Sequence, residues 1–158
     1  MLEGVPGVDR LTRRRFMAAT VLGMILPLGL RRPVQATPDG VSAAIRAIVG
    51  DAPLRVGKVA LEMPPIAENG NSVPLTVSVD SPMTAAEHVR SLHIFAEQNP
   101  LPNVANFYLG PRSGRAQVST RIRLFTSQKI IAVAALSDGS FWSGSAEIVI
   151  TLAACIEE

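Results

Sequence analysis

Hydrophobic and polar positions change period once along this chain. In VSAAIRAIV, Val41 to Val49, apolar side chains recur at 41, 44, 45, 48 and 49, the three-and-four spacing that gathers them on one face of a helix. Pro38 and Asp39 stand ahead of the run and Gly50 behind it, residue types that start and stop helices. One short helix is expected there. From Leu54 onward the period drops to two. VPLTVSVD sets Val73, Leu75, Val77 and Val79 against Pro74, Thr76, Ser78 and Asp80, the alternation of a strand with one buried face. Further strands are expected at Leu54 to Met63, closed by Pro64 and Pro65, and at His88 to Glu97, Val104 to Leu109, Arg115 to Phe125, Lys129 to Leu136 and Ser145 to Leu152. Between them lie turn-rich segments, with Glu68, Asn69 and Gly70 as one turn, then Ser81 with Pro82, NPLPN, GPRSG and SDG, or the short TSQ connection. About seven strands at this spacing with one helix predict an all-β fold, an immunoglobulin-like antiparallel β-sandwich, with a closed barrel as the alternative. No internal repeat, low-complexity tract or second domain interrupts the pattern.

The first 36 residues follow neither period. Arg13, Arg14 and Arg15 precede Phe16 and Met17, and then come roughly 14 mostly apolar residues, too few to cross about 30 Å of hydrocarbon at 1.5 Å per residue. Val34, Gln35 and Ala36 put small residues where a signal peptidase reads, so cleavage is expected after Ala36. Arg13 and Arg14 with the bulky Phe16 fit a twin-arginine export signal, which carries folded cargo, and Arg31 and Arg32 beyond the apolar run disfavour the ordinary secretory route. The expected division is 1–36 signal, 37–152 sandwich and 153–158 tail. The mature chain is expected in the periplasm with no stable membrane anchor, a retained N-terminal anchor being the other reading of the apolar run.

Length and charge narrow the picture further. At 158 residues and 47% apolar content the chain can build one domain with a real core. The net charge of +2 is unevenly placed. The first 36 residues hold six arginines against Glu3 and Asp9, and the rest holds nine basic against eleven acidic side chains. Nothing in the body calls for nucleic acid.

The ordinary catalytic sets are missing from the sequence. His88 and His93 lie five apart in an expected strand, so they point to opposite faces and cannot share a metal. No GxSxG, HExxH, CxxC or glycine-rich phosphate loop occurs. No metal, cofactor or catalytic group is therefore expected. Trp142 and the five phenylalanines are scattered and read as core packing, while Arg121 and Arg123, two apart, share one sheet face that is either solvated or meets a partner. Cys155 is the single cysteine. Export would place it where disulfides persist, yet alone it can form no internal bridge. It is a packed inert residue, half of an intermolecular bond, or a free working thiol. Three residues past Leu152, it can stand at most roughly 10 Å beyond the last expected strand.

From about Val41 to Cys155 the chain resembles the SoxY family, the sulfur-carrying subunit of bacterial Sox thiosulfate oxidation. The stretches that carry the likeness are VALEMPPIAENGNSVPLTVSVDSPM, NPLPNVANFYLGPRSGRAQVSTRIRLFTSQKIIAVAALSDG and EIVITLAAC, taken in order with the twin-arginine leader and the late cysteine. The resemblance implies an immunoglobulin-like sandwich paired with a SoxZ-like subunit as a heterodimer. It implies a carrier and not an enzyme, with no cofactor. The substrate would be held covalently on Cys155 while separate periplasmic Sox enzymes attach thiosulfate oxidatively, hydrolyse sulfate from it and oxidise the remaining sulfane. One departure stands out. The family arm reads Gly-Gly-Cys-Gly-Gly, whereas here Ala153 and Ala154 precede Cys155, and Ile156, Glu157 and Glu158 follow it. Glycines bend through conformations closed to other residues and thread narrow channels. The altered arm keeps two other readings open: a noncatalytic periplasmic binding or scaffold module related to SoxY, and a carrier for a different sulfur species.

Overall fold

The computed structural model describes residues 38–152. The expected export residues Arg13, Arg14 and Phe16 and the tail residues Ala153, Ala154, Cys155 and Ile156 lie outside them. Helix α1 runs Pro38–Val49. Proline suits a first helical position, where its missing N–H costs nothing, and Asp39 in the first turn complements the helix dipole. Gly50 ends the helix at φ 63°, a left-handed conformation cheap only for glycine, with its N–H donated to Arg46 O at 2.8 Å.

Nine strands follow among the described residues: β1 Leu54–Val56, β2 Val59–Glu62, β3 Ile66–Asn69, β4 Val73–Val79, β5 Val89–Ala96, β6 Asn103–Tyr108, β7 Gln117–Ile122, β8 Gln128–Leu136 and β9 Phe141–Leu152. The larger sheet has the order β1-β9-β8-β5-β6, with β3 also on β9, and the smaller one the order β2-β4-β7. Their facing sides enclose the main core, in which Leu75, Val77, Leu92, Ile94, Leu124, Ile130 and Ile148 are almost wholly buried. The alternation in β4 works as expected, with Val73, Leu75, Val77 and Val79 all inward. The outer face of the larger sheet is covered in part by α1. Val41 and Val49 pack there on Phe95 and Val133, with Ile45, Ile48, Ile131 and Phe141 around them. Leu92 to Ala96 is therefore buried without interruption, because the strand is covered on both faces.

The all-β sandwich with one short helix is what the sequence predicts. Its edges differ from that expectation in three places. The run Leu54 to Met63 is not one strand. Gly57 at φ 123° and Lys58 at φ 55° turn the chain between β1, which joins the larger sheet, and β2, which joins the smaller one. The segment around Glu68 and Asn69, read as a turn, forms β3. Both β1 and β3 run parallel to β9, paired at Leu54 with Phe141 and at Ile66 with Val149, so an otherwise antiparallel sandwich gains two short parallel pairings on one long strand. That strand begins at Phe141, four residues earlier than expected, and crosses beneath β2 at Gly144. A Cβ there would overlap Val59 O and come within 3.0 Å of Val59 C.

The β8–β9 hairpin is closed by Asp138. Its Oδ1 accepts from Ser140 Oγ at 2.7 Å and Ser140 N at 2.9 Å. The Ser140 side-chain bond, then the backbone bond, holds the carboxyl below its ordinary value of 3.8, since both favour the charged form. A pKa depressed on folding gives a contribution that is present above the unfolded value and lost as pH falls through the folded one. An NMR titration should place the Asp138 midpoint below 3.8, and Ser140→Ala should move it up. An unchanged midpoint in that variant would remove the assigned cause.

Candidate functional site

Cys155, the expected attachment residue, follows Leu152 by three residues, so the candidate site begins at the C-terminal end of β9. Ile148 and Ile150 are buried in the core and hold the strand down. Past Ile148 the β8 ladder ends, and side chains and the neighbouring edge take over. Ile150 N–H donates to Ser127 Oγ at 2.8 Å, and that hydroxyl donates to Ile150 O at 3.3 Å. Val149 N–H donates to Pro65 O at 2.9 Å, and Thr151 Oγ1 donates to Glu68 O at 3.2 Å. Strand β3 stays in register to the end, with Asn69 opposite Leu152. The root of the tail is thus fixed on both sides, and only a three-residue step, about 10 Å at full extension, separates it from Cys155.

Around this root the sheet surface is apolar at its centre. Ile66 and Val149, directly paired, are 61% and 52% exposed. They share the outward face with Glu68, Glu147 and Thr151, because inward-facing Ala67, Ile148 and Ile150 alternate with them. Sequence reading missed this pair. Ile66 sits between two prolines and a turn-like ENG, and nothing local announces that it joins a parallel edge.

The two histidines fall apart, but not as two positions of one strand. His88 precedes β5, with Nδ1 3.2 Å from Thr84 O. His93 is 7% exposed and bonded at both nitrogens. Asn103 Nδ2 donates to Asn106 Oδ1 at 3.0 Å, marking that oxygen as the acceptor, so His93 Nδ1–H donates to it at 2.7 Å. Nε2 is left to accept from Ser91 Oγ at 3.0 Å. Tyr108 packs edge-on at 6.3 Å. The order hydroxyl, imidazole, amide is that of a nucleophilic relay, but such a relay also needs free N–H groups at the oxyanion. Strand β5 is hydrogen-bonded on one side to β6 and on the other to β8. The chain of bonds satisfies a buried imidazole. Among the described residues no three His, Cys, Asp or Glu side chains lie close enough to hold a metal ion.

Arg121 and Arg123 are both exposed and tie β7 to the turn before β4. Arg121 Nε donates to Ser72 Oγ at 2.6 Å, and Arg123 Nη2 to Asn71 Oδ1 at 3.0 Å. They line an open groove of about 440 Å³ between the free edges of β6 and β7, with Leu101, Val104 and Ile122. This groove lies at the edge of the larger sheet opposite the one where β9 carries β3. Trp142 packs against the main core and is flanked by Arg55 at 5.6 Å and Lys58 at 5.3 Å from its ring centre.

Among solved structures, the sulfur carrier protein SoxY from Chlorobium limicola f thiosulfatophilum is 29% identical over 71% of this chain and 96% of its own, with a TM-score of 0.60. Superoxide reductases share the fold at lower identity. That of Ignicoccus hospitalis (neelaredoxin) is 19% identical over 74% of this chain and 95% of its own, TM-score 0.52. That of Nanoarchaeum equitans is 12% identical over 61% and 100%, TM-score 0.52. No curated protein matches the chain at a significant level. The family model described as sulfur oxidation protein SoxY matches residues 45–155, from the middle of α1 through the cysteine, and the chain therefore belongs to the SoxY family.

Proposed function

We propose that this chain is a periplasmic carrier that holds thiosulfate-derived sulfur covalently on Cys155 during sulfur oxidation, acted on by other proteins and performing no catalysis itself. The observation that carries the reading is the coincidence of two boundaries. The family match runs to residue 155, and β9 is fixed through Leu152, so the one thiol of the chain is set a short step from a rigid root. The solved SoxY at 29% identity is described as a sulfur carrier protein, which supports the same reading.

The chemistry suits a thiol. A thiolate bonds readily to sulfur, and sulfur–sulfur bonds are remade by exchange. In loading, Cys155 gives up its proton and a bond forms between its Sγ and the outer sulfur of thiosulfate, while two electrons pass to the attaching enzyme. Water then cleaves the terminal sulfonate as sulfate, leaving a sulfane on the cysteine for further oxidation. The chain supplies the attachment atom and its placement. A SoxZ-like subunit completes a heterodimer, and the twin-arginine residues Arg13, Arg14 and Phe16 export the folded pair to the periplasm.

The test is intact mass of the mature protein with its SoxZ-like partner, the attaching enzyme and thiosulfate. Wild type should gain a thiosulfate adduct that reductant removes, and Cys155→Ala should gain none. If both stay unmodified, the carrier reading fails for that substrate. The arm residues Ala153, Ala154 and Ile156, where the family carries glycine, favour a second reading in which the sandwich and partner surface persist as a scaffold. In that case Cys155→Ala would leave partner binding and growth on sulfur compounds intact.

A further inference from the structure

We infer that the outward face of the β3–β9 edge, centred on Ile66 and Val149 and flanked by Glu68 and Glu147, is the docking surface for the proteins that load and unload Cys155, and that these proteins meet it with an apolar contact flanked by basic groups. The inference rests on the carrier reading and adds where, and by what chemistry, the visiting protein binds.

Reach comes first. From Leu152 the thiol can extend about 10 Å. A reaction centre sunk to that depth in another protein is reachable only when the rim of that protein rests on the surface around Leu152. A loader whose reaction centre is sunk to that depth therefore covers the root of the arm during transfer. A transient contact of about 600 Å² per partner has a radius of about 14 Å, and Val149, three residues back along the strand at about 3.3 Å each, lies roughly 10 Å from Leu152. The pair falls inside any footprint centred on the root that leans to the outward face.

Composition then selects that face. Paired Ile66 and Val149 form one continuous apolar spot, 61% and 52% exposed, on a sheet edge that costs free energy to leave in water. On the sandwich the acidic side chains Glu68 and Glu147 flank it. Lys129, opposite Glu147 on β8, marks the far margin. An apolar centre flanked by two carboxylates and bounded by one lysine fits a partner that brings basic groups to the carboxylates. Such complementarity raises the encounter rate more than the strength of the complex, as a carrier that must leave after each step requires.

The experiment uses the mature heterodimer with the attaching enzyme and thiosulfate. Two variants, Ile66→Ser with Val149→Ser and Glu68→Lys with Glu147→Lys, change exposed side chains only. Iodoacetamide should alkylate Cys155 at the wild-type rate in both, and both should elute as heterodimers. Loading should fall at least tenfold in kcat/KM, mainly through KM, and the wild-type rate should drop with added salt. Equal loading of wild type and variants would overturn the inference while leaving the carrier reading standing. Loss of the heterodimer in the serine variant would also overturn it, by assigning the patch to the subunit interface. A wild type that never loads would sink the carrier reading and this inference together.

Discussion

Gly144→Ala is expected to destabilise the sandwich by about 3 kcal/mol, at the upper end for one added methyl group in a packed interior. At Gly144 the backbone of β2 lies directly on that of β9. The added Cβ would overlap Val59 O, stand 3.0 Å from Val59 C and reach 3.1 Å from Leu61 Cδ1. A side-chain tip could rotate away, but a carbonyl in a ladder cannot. Val59 is paired with Val79, so relief means moving β2 as a unit. The change holds the two sheets apart where the chain switches from one to the other. For a domain of this size it corresponds to a fall in Tm of roughly 10 °C, measurable by calorimetry. Gly110→Ala is the control. No atom lies within 4 Å of where a Cβ would stand and its φ of −150° suits any residue, so Tm should stay within about 2 °C, the range of an ordinary surface substitution. A Gly144→Ala protein as stable as wild type would mean that β2 does not press on β9 in solution.

The two ends of this crossing also explain what could be read in advance. Strand β4 was legible because its four valine and leucine positions face one core, and alternation is a local signal. Strand β5 was legible as a strand although Leu92 to Ala96 does not alternate, because turn-rich segments, Ser81 with Pro82 before it and NPLPN after it, bound it on both sides. Pairings made by distant, short segments were not legible. Strand β1 has three residues, all exposed, and β3 has four, so neither holds enough buried positions to show a period. Each exists because β9 offers a long edge, and partner edges are a tertiary fact. The same reason hides the candidate docking face. Cys155 could be singled out from residue counting and from the SoxY likeness, since a lone cysteine three residues past the last expected strand is visible in one dimension. Ile66 and Val149 stand 83 positions apart in the chain and become one surface only through the parallel register.

Replacing Ala153, Ala154 and Ile156 together by glycine is expected to raise kcat/KM for loading by an attaching enzyme from a glycine-armed Sox system at least tenfold, about 1.4 kcal/mol. Two effects oppose each other. Each glycine adds roughly 0.5–1 kcal/mol of backbone freedom that must be given up when the arm is threaded, a cost of about 1.5–3 kcal/mol for three residues. Against this stands the removal of two methyl groups and an isoleucine side chain from a passage shaped around hydrogen atoms. Overpacking by a few methylenes costs about 1–3 kcal/mol per site where the walls cannot move, and three such sites outweigh the entropy. In a passage wide enough for Ile156 the sign reverses, and the glycine arm loads more slowly. Alkylation by iodoacetamide, which needs no passage, should change less than twofold in either case. Faster enzymatic loading with unchanged alkylation would show that arm side chains decide which loader this carrier serves. Slower or equal loading would mean that the passage admits the side chains of this arm, and would remove the main reason for treating the chain as a scaffold.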